Sequence, residues 1–329
     1  MPFEDGSPAS PVWPIDAKWK LGVLTRKDQP STRPEESAVA TATALTLHPR
    51  NALEPAFDSL HGRYSMLVPD RIYHSDAFEM FPQIDDGSID LVVCDGPYGV
   101  TANKWDRICN TQAFNFTLIS ILAAKLKTGG SLYLFGKPDC IDFIDYRPLL
   151  NLRSKIVWYQ PSRLAQGRVT YTNNYDIICY FIKGDRPKTF DLDAIRVAQL
   201  VELEHRLRCE RVPSVTNGKY GRTKFNGDGK NPGDVWGDIK QLTYKSKELM
   251  SRRVLNTIQK PERLIERIVK ASSCEGDLVL DPFAGVGTCP VVCRKLGRHF
   301  IAFEKDTEFV GIANKRLAEV PNEFAGSLF

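Results

Sequence analysis

The chain contains no Cys-x-x-Cys pair, no apolar run near the ~20 residues that a membrane span requires, and little surplus of charge. Its cysteines, at 94, 109, 140, 179, 209, 274, 289 and 293, are scattered, several of them inside apolar stretches. They read as reduced core thiols, not as disulfides or zinc ligands. Cys289 and Cys293 share a helical face, but no histidine stands at ligand spacing, so no metal site is assigned. With no secretory signal either, a cytoplasmic location is expected. A net charge of +4, from 44 Lys and Arg against 40 Asp and Glu, is too small to argue a polyanionic partner; where the charges lie matters more. What remains is an ordinary globular composition, 42% hydrophobic and 26% charged, over 329 residues. That length holds one large α/β domain and a smaller insertion.

The apolar run Ile89-Asp90-Leu91-Val92-Val93-Cys94 is bounded by Gly87-Ser88 and by Asp95-Gly96-Pro97-Tyr98. It predicts a buried parallel strand that ends in a tight turn. Ligands of open α/β sheets sit outside the carboxyl ends of the strands. There the turn offers a carboxylate (Asp95), a carbonyl pinned by the following Pro97 (Gly96) and an aromatic face (Tyr98). An acceptor pair beside a stacking ring is what a flat, amine-bearing base needs.

A second constellation lies near the other end. Residues 277–281 predict a strand, followed by Pro282-Phe283-Ala284-Gly285-Val286-Gly287-Thr288, a helix to Leu296, and a strand 300–303 ending in Glu304. Gly285 and Gly287 permit a turn with close backbone approach, and the next helix presents its N-terminal amides. Glu304 follows Gly285 by 19 residues, near the ~20 at which an acid reaches ribose hydroxyls. The turn is shorter than the G-x-G-x-x-G of dinucleotide folds, which favours a ligand without a pyrophosphate. S-adenosylmethionine fits, with its ribose toward Glu304 and its amino-acid tail near Asp281 and Phe283.

The rest is read more coarsely. Residues 1–60 lack periodicity and form an irregular extension. A strand at 71–74 leads through Ser75-Asp76 into a short helix that faces Ala77, Phe78, Met80 and Phe81 inward. A helix over 113–126 is closed by Thr128-Gly129-Gly130, and strands follow at 131–135, 154–159 and 175–182. A charged helix is expected from 193 to 210. Between Arg211 and Arg253 stand ten Lys or Arg (211, 219, 222, 224, 230, 240, 245, 247, 252, 253) against four acids, interleaved with Tyr220, Phe225, Trp236 and Tyr244. Such a Gly-rich basic stretch suits a surface that tracks phosphates, with Lys219, Arg222, Lys224 and Lys230 as candidate DNA contacts. Helices are expected from Pro261 to Ala271 and over 307–319.

In this order the motifs resemble those of the β-class DNA amino-methyltransferases, the N6-adenine and N4-cytosine enzymes of restriction–modification systems. The family's D-P-P-Y is similar to Asp95-Gly96-Pro97-Tyr98, its F-x-G-x-G to Phe283-Ala284-Gly285-Val286-Gly287, and its Q-K-P to Gln259-Lys260-Pro261. Residues 190–196 and 230–236 resemble segments of adenine-N6 members. The resemblance covers about 71–319. It implies an S-adenosylmethionine-dependent methyltransferase fold: an α/β, mostly parallel, doubly wound sheet with an antiparallel strand, circularly permuted motif order and a target-recognition insertion. The implied division is an N-terminal extension (1–60), a catalytic half (61–190), a target-recognition segment (191–255) and a cofactor-binding half (256–329). Asp95, Gly96, Pro97 and Tyr98 would be catalytic. Asp76, Lys260, Asp281, Phe283, Ala284, Gly285, Gly287, Thr288 and Glu304 would hold S-adenosylmethionine. Double-stranded DNA is the implied partner, with a cognate restriction endonuclease and a homodimer as further expectations.

Two departures stand out: Gly96 replaces the family's first proline, and Asn256-Thr257-Ile258 replaces its H-P-T. A free φ at Gly96 enlarges the turn's ensemble, so proline there is expected to preserve or raise turnover. Methylation at adenine N6 is the favoured reading. N4 of cytosine, an RNA or protein-glutamine substrate, and a catalytically idle DNA-binding subunit stay open as alternatives. C5-cytosine chemistry, which needs a thiolate, is disfavoured.

Overall fold

The computed structural model describes residues 67–98, 111–137, 146–161, 169, 171, 173–198, 228–243, 245–250 and 259–321. The expected extension, the polar loop after Tyr98 and Lys219, Arg222 and Lys224 lie outside them. The described chain runs β1 (Arg71–His74), α1 (Ala77–Met80), β2 (Ile89–Cys94), α2 (Thr111–Lys125), β3 (Leu126–Gly136), β4 (Asn151–Tyr159), β5 (Tyr175–Ile182), β6 (Val235–Trp236), α3 (Glu262–Ser272), β7 (Leu278–Asp281), α4 (Thr288–Lys295), β8 (His299–Glu304) and α5 (Thr307–Ala318).

The strands form one sheet in the order β1-β8-β7-β2-β3-β5-β4-β6. The first five are mutually parallel; β5 is antiparallel to both β3 and β4, and β6 adds a parallel edge beside β4. Every residue of β2 is buried, which is why it reads as a continuous apolar run and not as an alternating one. Its alternation survives in what each side chain touches. Val92 and Cys94 join the core under α1 and α2, with Leu118, Ile119 and Leu122. Leu91 and Val93 join the core under α3 and α4, with Leu264, Ile265, Ile268, Val291 and Val292. Both faces are therefore covered, as in a doubly wound fold.

From β7 the chain moves outward to β8 in one direction, and from β2 to β3 in the other. The topological switch point, where ligands of such sheets bind, thus falls between the carboxyl ends of β2 and β7. These are the ends that carry Asp95 and Asp281.

Two expectations are corrected. Thr128-Gly129-Gly130 does not close a helix: β3 begins at Leu126 and carries an irregularity, with Ile89 paired to Leu126 but Leu91 already paired to Ser131. Gly129 adopts φ +82, and a Cβ there would stand 2.9 Å from the backbone nitrogen of Lys188. The glycine therefore serves a bulge against which the 183–188 turn packs, and a bulge glycine looks like a helix stop in sequence. Nor does a helix start at 193. Asp193–Ile195 is one 3₁₀ turn, after which Val197 pairs in extended form with Lys230. Residues 228–243, expected within the target-recognition segment, also supply β6 and the buried Trp236 and Ile239.

Candidate active site at the carboxyl edge of the sheet

The turn after β7 is built from its glycines upward. Gly285 has φ +54 and Gly287 φ +78, conformations that L side chains avoid. Gly287 is also a close approach, since a Cβ would lie 2.7 Å from that of Ala313 on α5. The Ala284 amide donates to Phe303 O at 2.8 Å, tying the turn to β8. Glu304, at the end of β8, accepts from the amide of Gly285 (2.8 Å) through Oε2 and from that of Asp306 (2.8 Å) through Oε1. The acid expected to meet a ribose is thus fixed by two backbone donors while retaining acceptor capacity. Burial pushes its carboxyl above the usual range against those two N–H groups.

Asp281 is more strongly perturbed. Burial pushes its carboxyl up to about 8 against the Phe283 N–H that it accepts at 3.1 Å, and the charges of Asp95 and Glu304 add to the rise. Among the described residues no cation is set on this buried acid, and its neighbours are other acids. A ligand bearing an ammonium group supplies one, so the donor set fits the amino-acid end of S-adenosylmethionine. Asp76 stands two residues past β1, where His74 pairs with Glu304. Its Oδ1 caps α1 by accepting the Phe78 N–H at 2.9 Å. Thr288, expected at the ligand, accepts at its hydroxyl from Arg316 Nη1 at 3.2 Å. Arg316, 5% exposed, also holds Val286 O and Glu262, joining α5, the turn and α3.

The turn after β2 lies across the switch point. Strand alternation sends Cys94 toward α1 and α2 and hence Asp95 toward α3. There it meets a residue that the sequence placed with the cofactor. Lys260 Nζ donates to Asp95 Oδ1 at 2.8 Å and to Oδ2 at 2.6 Å. The Tyr98 hydroxyl donates to Oδ1 at 2.6 Å. Burial, with the charges of Asp95 and Asp176, holds the Tyr98 phenol well above its ordinary pKa, so it remains a donor. Burial likewise keeps Cys94 a thiol, with the charges of Asp281 and Asp95 adding to the effect. A thiolate nucleophile is not available there.

Gly96 does not adopt a positive φ. A Cβ built on it would stand 3.1 and 3.2 Å from the Phe283 ring, so its role is clearance from the cofactor turn and not conformational freedom. For proline to preserve or raise turnover at this position, the Phe283 ring would have to give by a few tenths of an ångström. The two turns thus approach closely, with room between them for no more than a glycine's hydrogen unless the ring gives.

Beyond Tyr98, at the same edge of the sheet, Asp176 at the start of β5 binds Lys137 after β3 and Gln160 after β4; Gln160 Nε2 donates to Asp176 Oδ2 at 2.8 Å. Asp176 is 2% and Gln160 3% exposed. Reading the sequence missed this cluster and the Lys260–Asp95 pair, because each joins residues from separate elements. The antiparallel β5, which brings its first residues to the carboxyl ends of β3 and β4, was the available signal. Lys230 is exposed, its backbone paired with Val197.

The N6_N4_Mtase family model, described as DNA methylase, matches residues 89–315, from the first residue of β2 into α5. The DNA adenine methyltransferase YhdJ of Escherichia coli (strain K12) is 33% identical over 254 residues, covering 75% of this chain and 82% of that protein. The Type II methyltransferase M1.MboII of Moraxella bovis is 30% identical over 256 residues, covering 76% of this chain and 96% of its own. Among solved structures, the PvuII DNA methyltransferase, described as cytosine-N4-specific, aligns with a TM-score of 0.55 at 15% identity. That alignment covers 77% of this chain and 87% of the other, and at that identity the likeness is one of fold. The two turns facing each other across the switch point of a doubly wound sheet and the family match agree: this chain belongs to the DNA methylase family.

Proposed function

We propose that this chain is a site-specific DNA methyltransferase that moves a methyl group from S-adenosylmethionine to the exocyclic N6 of an adenine flipped out of the duplex. The observation that carries the reading is the close approach of the Asp95 turn to the Asp281 turn, at Gly96 and the Phe283 ring, which brings the two carboxyls within each other's electrostatic reach. It sets an amine-binding carboxylate beside a carboxyl that lacks a cation. The adenine-specific name of the Escherichia coli relative supports adenine over cytosine.

S-adenosylmethionine, when bound, supplies an electrophilic methyl carbon. The protein's part is to make a poor nucleophile attack it. An exocyclic amine has its lone pair conjugated into the ring, and hydrogen bonds from its two protons to the Asp95 carboxylate and the Gly96 carbonyl favour a tetrahedral nitrogen. Tyr98, fixed through its hydroxyl on Asp95, supports the plane of the base. The base must leave the duplex because N6 cannot otherwise reach the turn. The Asp176–Lys137–Gln160 cluster, within electrostatic reach of Tyr98, offers polar groups to the ring of that base.

The basic stretch 211–253, with Lys219, Arg222, Lys224 and Lys230, contacts the duplex. The Type II designation of the Moraxella bovis relative supports a cognate restriction endonuclease as a partner. The homodimer rests on the family resemblance alone. No described helix is long and apolar enough to cross a membrane, and a cytoplasmic location follows from the DNA substrate. Incubation with methyl-labelled S-adenosylmethionine and unmethylated DNA, followed by digestion to nucleosides, tests the reading. Label in N6-methyladenine is expected; label in N4-methylcytosine would overturn the choice of base, and label in neither would overturn the enzyme.

A further inference from the structure

The buried lysine two residues ahead of α3 is unexplained by cofactor binding. Its side chain is 5% exposed, and its ammonium donates to both oxygens of Asp95. It lies 5.4 Å from the centre of the Phe135 ring and 5.7 Å from that of Tyr98, within the range of cation–π attraction. Its backbone is anchored on both sides. Gln259 Nε2 donates to Glu248 O at 2.8 Å, and Glu248 Oε2 accepts the first helical amide, that of Glu262, at 3.0 Å. A lysine held this firmly does not wander.

We propose that Lys260 is a positioning residue whose ammonium keeps Asp95 ionised and turned toward the target amine, and that it does not bind the cofactor. The proposal rests on the methyl-transfer reading above. A carboxylate offers about four acceptor positions. Two donors from Lys260 and one from Tyr98 occupy three, which leaves a single direction, on Oδ2, for the proton of an incoming amine. Charge matters as much as direction. Asp95 shares its surroundings with Cys94 and Tyr98 on its own strand and turn and with Asp281 at the end of β7. Glu304 at the end of β8 and Asp176 of β5 lie one neighbour further out. Among the described residues, Lys260 is the cation set directly on Asp95, while Lys137 is set on Asp176 further out. Without Lys260, the acids around Asp95 would face it with no cation between, and a carboxyl that took up a proton would donate to the amine instead of accepting from it.

Lys260→Met keeps the buried stem and removes the charge; Lys260→Arg keeps the charge. Three quantities separate the roles: calorimetric affinity for S-adenosylmethionine, the single-turnover rate on unmethylated DNA as a function of pH, and the carboxyl ¹³C titration of Asp95, assigned with Asp95→Asn. In Lys260→Met the affinity should stay within about twofold of wild type while the rate falls about a hundredfold. The acid limb of the rate profile and the Asp95 titration should both move up by about one pH unit or more. Lys260→Arg should leave that titration near its wild-type position. Should methionine prevent folding, Lys260→Gln is read in the same way. A tenfold or larger loss of cofactor affinity with the Asp95 titration unmoved would make Lys260 a cofactor ligand and overturn the proposal. So would an unmoved titration with an unchanged rate. The titration needs no DNA, so it decides the role of Lys260 even for a protein that transfers no methyl group, a result that would instead overturn the functional reading.

Discussion

Asp281 shows how much of the site's behaviour resides in single groups. Its carboxyl is held at about 8 chiefly by burial, far above the ~3.9 of an exposed aspartate. A group whose folded pKa is raised in this way stabilises the fold fully below ~3.9 and loses that contribution as the pH climbs through about 8. Under the proposed reading, in which the ligand's ammonium pairs with the ionised Asp281, cofactor binding has the opposite slope. Affinity for S-adenosylmethionine should rise up to about tenfold per pH unit below the Asp281 pKa, level off above it, and release close to one proton at about pH 6. Calorimetry in buffers of different ionisation enthalpy measures the proton directly. Asp281→Asn should bind more weakly and without the slope; an unchanged slope in that variant would assign the proton elsewhere. The residue types of this site, acid, glycine pair, acid, were legible in the sequence because they lie within one strand–turn–helix–strand unit. The pKa was not, since it comes from burial and from Asp95, a residue of a distant strand.

At the scale of elements, the start of β2 is locked as firmly as its end. Asp90, its side chain 3% exposed, accepts from Lys127 and Lys188, each at 2.7 Å, and from the Leu278 amide at 3.1 Å, so that β2, β3, β7 and the turn after β5 meet on one carboxylate. Burial pushes its pKa up, but the two lysines and the amide outweigh burial and hold it below the ordinary value. Its stabilisation is therefore present above ~3.9 and lost as the pH falls through the lower folded value. Asp90→Ala should cost about 1–3 kcal/mol, largely by leaving the part-buried Leu278 amide without its acceptor, since Lys127 is partly solvated and Lys188 keeps Asp277, and should flatten the acid limb of the stability curve. Urea unfolding at neutral and acid pH gives both numbers; a loss below about 0.5 kcal/mol would show the network to be ornamental. The periodicity of 261–271 and the apolar runs of β2, β5 and β7 made these elements legible in advance. The bulge at Gly129 and the 3₁₀ turn where a helix was expected to start at 193 were not, because each is decided by a partner segment: Lys188 against the glycine, and Lys230 against Val197.

At the scale of the whole molecule, function follows from strand order. Asp95 and Asp281 are far apart in sequence, yet β2 and β7 pair in parallel, Leu91 with Val279 and Val92 with Leu280. The chain's two chemistry-bearing turns therefore open on one crevice, and α3, entering from Pro261, brings Lys260 into it. The motif order pointed to this pairing only through the family resemblance. Composition and spacing alone gave two separate turns, and nothing in them placed Lys260 165 positions away on Asp95. The central claim is that the turn after β2 performs the transfer while the turn after β7 holds the methyl donor. The most direct measurement compares Asp95→Ala with the wild-type protein for calorimetric binding of S-adenosylmethionine and for single-turnover methylation of unmethylated DNA. The account predicts that the variant binds the cofactor within a few-fold of wild type and loses transfer by about 10³ or more. Transfer that persists in the variant at a rate near wild type, with the cofactor bound, would contradict it.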